Sequence, residues 1–282
     1  MINKKDVFIS CEATYDQAKI VMFGADFDGT VSFRPGSRFG PAAVRKASYG
    51  LETYSWHLEK DLEDIQVFDF GDLECPFGQV DATHQKIESF VNTLLHDNKL
   101  PLMIGGEHSI SYPSIKAVSE KYPDLVLLQL DAHADLREDY FGVIQSHASV
   151  IRRTYPHIKP KQIIQWGIRS GTKEEHAFAR ANTILLAADV QALQDVMEQF
   201  KDKPVYVTLD VDVFDPSLIP GTGTPEPGGI DFHMFIEVCK LLQTHNIVAM
   251  DVVELAPDYD HSGVSSVVVA KVVRECLLTI GG

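Results

Sequence analysis

Three stretches of this chain crowd acidic and imidazole side chains at the end of an apolar run: Leu128-Gln-Leu-Asp131-Ala-His133-Ala-Asp135, Tyr206-Val-Thr-Leu-Asp210-Val-Asp212 and Leu102-Met-Ile-Gly105-Gly106-Glu107-His108. In extended chain, residues two apart point to the same side. The spacing therefore predicts that Asp131, His133 and Asp135 converge, and that Asp210 and Asp212 do the same. Gly105-Gly106 lets the backbone bend sharply, which brings His108 to the same rim. Carboxylates and imidazoles aimed at one spot repel or stay unsatisfied unless a cation sits among them. Any one of these patterns also occurs as a capped or solvated loop; their recurrence at three strand ends points to metal. Four aspartates and two histidines make an oxygen-rich set, which favours manganese or another hard divalent ion over a thiolate metal. They exceed the roughly three protein ligands of a catalytic zinc and suit two ions sharing carboxylates at about 3.5–4 Å.

The elements that must position these groups alternate along the chain. Strand candidates are residues 19–24, 65–70, 100–104, 125–130, 162–167, 183–186, 204–209 and 246–251, several apolar on both faces. Helix candidates lie at 41–49, 81–98, 112–121, 173–182, 190–200, 231–244 and 262–280. Such alternation predicts a three-layer doubly wound α/β sandwich around a mostly parallel sheet. Neither an internal repeat nor a linker interrupts residues 1–282, so one domain is expected. Three loops rich in Gly, Pro or charge, 29–41, 137–146 and 216–229, fall where an open α/β sheet places its chemistry.

Composition narrows the partners. With 25 basic and 40 acidic residues the chain carries a net charge of −15, which disfavours nucleic acid and anionic membranes. The same charge either draws cations or serves solubility. Cys11, Cys75, Cys239 and Cys276 form no CxxC pair and read as free thiols. The first residues lack the apolar core of a signal peptide, and no 18-residue apolar stretch occurs, so a cytoplasmic location is expected.

Beyond the three clusters, the chain contains Ser32-Phe-Arg-Pro-Gly-Ser-Arg-Phe-Gly-Pro41, Pro220-Gly-Thr-Gly-Thr224 and Asp251-Val-Val-Glu-Leu-Ala-Pro257. In order and spacing, these motifs together with Gly105-Gly-Glu-His-Ser109, Asp131-Ala-His-Ala-Asp135 and Thr208-Leu-Asp-Val-Asp-Val-Phe-Asp-Pro216 resemble the ureohydrolases, that is arginase, agmatinase and their relatives, and most closely the bacterial agmatinases. The resemblance implies an eight-stranded parallel sheet between helices and two manganese ions. One ion would be held by His108, Asp131, Asp135 and Asp210, the other by His133, Asp131, Asp210 and Asp212, with Asp131 and Asp210 bridging. Two such ions lower the pKa of a shared water, so that hydroxide is available near neutral pH. By resemblance, Glu254 binds the guanidinium, as a carboxylate can with two parallel hydrogen bonds. Asp135 would relay a proton to the leaving amine, and His147 would act as a proton shuttle. The implied reaction is hydrolysis of a small cationic guanidino substrate, agmatine to putrescine and urea, by a trimeric or hexameric homo-oligomer. Arginase, guanidinobutyrase or formiminoglutamase activity on the same scaffold is the alternative. From another class altogether, a non-catalytic, metal-stabilised binding protein is the competing reading.

Two features bear on substrate choice. After Ser146-His147 the chain reads Ala148-Ser149-Val150, where agmatinase-like chains carry a small residue, threonine and proline or methionine. Arg137, near the expected cleft mouth, either draws an acidic substrate tail or pairs with a neighbouring acid.

Overall fold

Strands that are apolar on both faces need cover on both sides, and the chain supplies it from alternate crossover helices. In the computed structural model, which describes residues 7–282, the chain runs β1 (Ile20–Ala25), α1 (Gly40–Ser48), β2 (Tyr54–Ser55), β3 (Lys60–Asp61), β4 (Val67–Leu73), α2 (Val80–His96), β5 (Leu100–Gly105), α3 (Ser111–Lys121), β6 (Val126–Leu130), α4 (Val150–Thr154), β7 (Ile163–Trp166), α5 (Lys173–Asn182), β8 (Ile184–Leu186), α6 (Val190–Met197), β9 (Pro204–Asp210), α7 (Phe232–Leu242), β10 (Asn246–Val253) and α8 (Val264–Ile280). Eight strands form one sheet in the order β4-β1-β5-β10-β9-β6-β7-β8. Every pairing within it is parallel. The short β2 and β3 form a separate antiparallel pair.

Side-chain alternation splits the interior into two cores. On one face Met22, Leu102, Leu128, Val207 and Val252 pack with residues of α1, α6, α7 and α8. On the other, Val21, Met103, Leu127, Tyr206 and Val253 pack with α2, α3, α4 and α5. The expected three layers are present. At roughly 1.5–3 kcal/mol per fully buried aliphatic or aromatic side chain, these two cores supply the main stabilisation of the fold.

All eight strand candidates form, with shifted ends. The candidate at 65–70 becomes Val67–Leu73, an edge strand whose pairing to β1 slips between Met22 and Gly24. The candidate helix at 173–182 forms with those bounds, closed by a capping box between Thr172 and Glu175. That at 190–200 is α-helical only to Met197 and finishes in a 3-10 turn, Glu198–Phe200. Helix α4, five residues long, was not expected, because one turn is too short to show an amphipathic period. No described helix is long and apolar enough to cross a membrane, and none of the four cysteines is in a disulfide.

Candidate metal centre

The chain order places four functional strand ends side by side. β6 follows β5 in sequence but lies three positions away; β9 and β10 return to fill the gap. His108 lies three residues beyond β5, Asp131 directly follows β6, Asp210 ends β9 and Glu254 directly follows β10. Their side chains meet at the carboxyl edge, where an open α/β sheet reverses strand order.

Local backbone features turn each group inward. At Gly106 a Cβ would sit 1.9 Å from the Phe27 carbonyl oxygen, so only glycine fits. That close approach is fixed by Gly106 N–H donating to the Ala25 carbonyl at 2.9 Å and Glu254 N–H donating to the Gly106 carbonyl at 2.8 Å. Asp135 and Glu254 adopt left-handed φ values of 53° and 72°, each costing on the order of 1–2 kcal/mol for a non-glycine residue. Strand alternation was expected to align the aspartates, but turns do so instead. Asp212 lies in the 3-10 turn Val211–Val213, and its amide donates to Asp210 Oδ1 at 2.9 Å.

All six expected ligand residues converge. His108 Nδ1 lies 3.1 Å from Asp131 Oδ2, 3.0 Å from Asp135 Oδ2 and 3.4 Å from Asp210 Oδ2. His133 Nδ1 lies 2.8 Å from Asp212 Oδ2 and 3.9 Å from Asp131 Oδ1. Ligand atoms of His108, Asp131 and Asp135 all fall within 4.8 Å of one another, and so do those of Asp131, His133 and Asp212. Asp131 belongs to both groups.

The far side of His108 decides which ring nitrogen is free. Its Nε2 lies 2.8 Å from Thr208 Oγ1, whose hydroxyl donates to Asp251 Oδ1 at 2.6 Å; Tyr206 donates to Asp251 Oδ2 at 2.6 Å. With its own hydrogen committed to Asp251, Thr208 accepts from Nε2–H, so Nδ1 is the nitrogen turned into the cage. Burial lowers the ring's pKa, but Asp131, Asp135 and Asp210 outweigh it and raise the ring well above the usual imidazole value. Although three carboxylate oxygens surround Nδ1, none is placed to accept a well-directed N–H, and the buried nitrogen has no hydrogen-bond partner. An Nδ1 among carboxylates, backed by a polar chain on the opposite nitrogen, fits a divalent cation that displaces its proton.

Electrostatics agree. Burial, then the neighbouring Asp212 and Asp135, pushes Asp131 up to about 7. Burial, then Asp212 and Asp131, holds Asp210 well above the usual carboxylate range. Burial pushes His133 down, but Asp212 and Asp131 outweigh it and raise the ring to about 11. Asp212, despite its burial, is instead held down at about 2 by His133. The protons kept on Asp210, on part of Asp131 and on His133 are ones a cation would displace.

Several supporting residues were not foreseen. Gln129 Nε2 donates to Asp131 Oδ2 at 2.7 Å and to the His133 carbonyl at 3.1 Å, and Gln165 Nε2 donates to Gln129 Oε1 at 2.7 Å. Gln129, Gln165, Thr208 and Asp251 are all fully buried. Their signal was in the sequence: a lone polar residue inside an apolar strand, as in Leu128-Gln-Leu130, requires a partner.

Above the cage opens a cleft of about 290 Å³ lined by His108, His133, Asp135, Asp210, Glu254 and His147, among others. Glu254 Oε1 accepts the His108 amide at 2.7 Å. His147, on a 3-10 turn capped by Ser146, faces Thr30 and Ser32. Arg137 is set by an aromatic ring and an acid: it stacks 4.7 Å from the Tyr140 ring centroid and lies 3.7 Å from Glu175. Tyr140 in turn meets His147 edge-on, at 5.7 Å between ring centroids. Along the run Ala148-Ser149-Val150, Ala148 lines the cleft and Val150 is buried in the second core.

Comparison with known proteins finds relatives over nearly the whole chain. The profile of the Arginase family matches residues 18–279. The chain is 45% identical over 276 residues to the agmatinase of Bacillus cereus, covering 96% of this chain and 95% of that one. Among solved structures, the agmatine ureohydrolase of Thermoplasma volcanium matches with TM-score 0.90 and 31% identity, over 99% of this chain and 95% of that one. Proclavaminate amidino hydrolase from Streptomyces clavuligerus matches with TM-score 0.89 and 30% identity, over 98% of this chain and 97% of that one.

Proposed function

The chain belongs to the arginase family, and on that premise we propose that it is a two-manganese ureohydrolase that splits a guanidino substrate, agmatine, into putrescine and urea. The observation that carries the reading is the cage itself: six ligand residues from three strand ends, with the unpartnered Nδ1 of His108 at its centre. In this reading His108, Asp131, Asp135 and Asp210 hold one ion. His133, Asp131, Asp210 and Asp212 hold the other. Two divalent ions there supply an ionised water near neutral pH and positive charge where negative charge develops.

The chain's own groups do the rest. Glu254 presents a carboxylate to the planar cation and fixes its orientation over the cage. Its tie to the His108 amide sets that orientation relative to the metal ligands. Asp135, at the cage's edge, passes a proton to the departing amine, and His147 exchanges protons with it from the cleft wall. A cleft of about 290 Å³ sits at the low end of ligand-site volumes and suits a short linear substrate.

Agmatine is favoured by the likeness to the B. cereus agmatinase. Arg137 supports a second reading, a substrate with an acidic tail such as guanidinobutyrate. Its stacking on Tyr140 and its proximity to Glu175 weaken that reading by partly offsetting its charge. We also propose a cytoplasmic homo-oligomer, trimeric or hexameric. The free thiols fit a reducing compartment, and exposed Trp56, Phe77 and Phe141 fit subunit contacts.

The test is turnover by purified protein, with and without Mn2+. Urea is measured from agmatine, arginine and guanidinobutyrate, and formamide from formiminoglutamate. Manganese-dependent urea release fastest from agmatine is expected. Faster turnover of any other compound reassigns the substrate, and no turnover of any of them removes the enzymatic reading.

A further inference from the structure

Two histidines of the site are each backed by a threonine and a buried carboxylate, but through opposite ring nitrogens. Thr208 and Asp251 engage Nε2 of His108. Thr30 and Glu107 engage Nδ1 of His147: Thr30 Oγ1 lies 3.2 Å from that nitrogen and donates to Glu107 Oε1 at 2.6 Å. The inversion matters, because the nitrogen left free is the one that does chemistry.

Counting hydrogens around Thr30 fixes the tautomer. Its oxygen accepts the backbone N–H of His147 at 3.1 Å. Its single hydrogen goes to Glu107, since a contact of 2.6 Å to a carboxyl oxygen is a shorter and stronger hydrogen bond than a contact of 3.2 Å to a neutral ring nitrogen. Glu107 is fully buried and has two further donors, the Thr30 amide at 2.7 Å and the Ser109 hydroxyl. Thr30 Oγ1 can therefore meet His147 Nδ1 only as an acceptor. The Ser146 hydroxyl, at 3.4 Å from Nδ1, is a weaker competitor. On the other side of the ring, Nε2 faces the cleft with only the Ser32 hydroxyl near it, at 3.5 Å.

We propose that Thr30 and Glu107 are positioning residues that hold His147 as its Nδ1–H tautomer, so that the Nε2 lone pair faces the substrate cleft ready to take up a proton. The inference deepens the ureohydrolase reading and rests on it for the role of His147. Neither residue touches substrate; both act through the imidazole. Thr30 lies in a loop otherwise notable for its Gly, Pro and Arg, and Glu107 lies beside a ligand, so neither stands out by composition.

The experiment combines kinetics with ring-nitrogen NMR on histidine-labelled protein, using diamagnetic Mg2+ in place of Mn2+ for the spectra and His147→Asn to assign the signal. Wild-type protein at pH 8 is expected to show Nδ1 protonated and Nε2 bare. Thr30→Val, which keeps shape and loses the hydroxyl, should release that preference and lower kcat of the manganese enzyme about 10- to 100-fold, with KM within about twofold, as expected when a general acid–base group is misoriented. Thr30→Ser should keep the wild-type tautomer and most of kcat. A wild-type ring protonated at Nε2 overturns the proposal, and so does a Thr30→Val enzyme within about twofold of wild-type kcat. If the valine variant does not fold, the wild-type and serine spectra still decide. If wild-type protein turns over no guanidine, the catalytic reading fails while the tautomer is still read directly.

Discussion

The backbone amide of His108 donates to Glu254 Oε1 at 2.7 Å. One hydrogen bond thus joins a residue after β5 to one after β10, and couples a cage imidazole to a carboxylate that lines the cleft. Glu254 pays for that position with a left-handed φ of 72°.

Replacing Glu254 by Gln should test the carboxylate's charge with its shape preserved. The amide oxygen can still accept from His108, so the fold and the metal content should be unchanged. A charge-assisted bond to the guanidinium is worth about 1.5–3 kcal/mol, so kcat/KM should fall roughly 10- to 150-fold. A variant with wild-type kcat/KM would remove Glu254 from substrate binding.

Asp131 lies in both ligand groups, so Asp131→Asn should weaken both ion sites at once. The Mn2+ content should drop below two per chain and activity should fall by about three orders of magnitude. In the absence of metal the same change removes one of four crowded carboxylates, so stability in chelator should hold or rise. The Mn2+-induced rise in Tm should shrink, because it reflects ligand binding to the native state. A Tm response to Mn2+ equal to wild type argues against the cage.

Thr208 sets the free nitrogen of His108 from outside the ligand set. Thr208→Val should cost about 10- to 100-fold in Mn2+ affinity, the usual effect of losing a partner behind a ligating histidine; Thr208→Ser should restore most of it. Titration calorimetry of the metal-free proteins reads the difference. Equal affinities for the valine variant and wild type would show that Asp251 and Tyr206 orient the ring without it.

His84, buried on α2, should make the fold acid-sensitive. Neither ring nitrogen has a well-directed partner. Burial, with Arg153 adding to it and Asp81 opposing it, lowers its pKa to about 4. Between pH 6.5 and about 4 the unfolded chain holds this proton and the folded chain does not, so folding stability falls as pH falls through that window. The full effect is roughly 3 kcal/mol. Urea unfolding of metal-free His84→Gln should show a shallower loss over this range. Profiles that superimpose on wild type after vertical offset would assign the acid sensitivity elsewhere.

Much of the architecture was readable because two-sided apolar runs can form only covered strands, so residues 126–130 and 205–209 announced a parallel sheet. The convergence of acidic and imidazole groups was readable because carboxylates crowded at the ends of such runs require a partner of opposite charge. Asp135 is more instructive. Its inclusion was foreseen, yet its route inward is a left-handed turn rather than strand alternation, a conformation that residue type alone does not specify. Gln129 and Thr208 were written in the chain as polar residues in apolar strands, but what each one holds depends on groups 2 and 100 residues away.

By itself, then, the chain determined its layers, its covered strands and the inventory of groups able to bind metal, because burial and charge are properties of residue type and spacing. Only the tertiary structure decided that β9 and β10 lie between β5 and β6, and so which strand ends share a rim. It also decided which nitrogen of His108 and of His147 is left free, because a tautomer is set by hydrogen-bond partners that only the folded chain brings into reach.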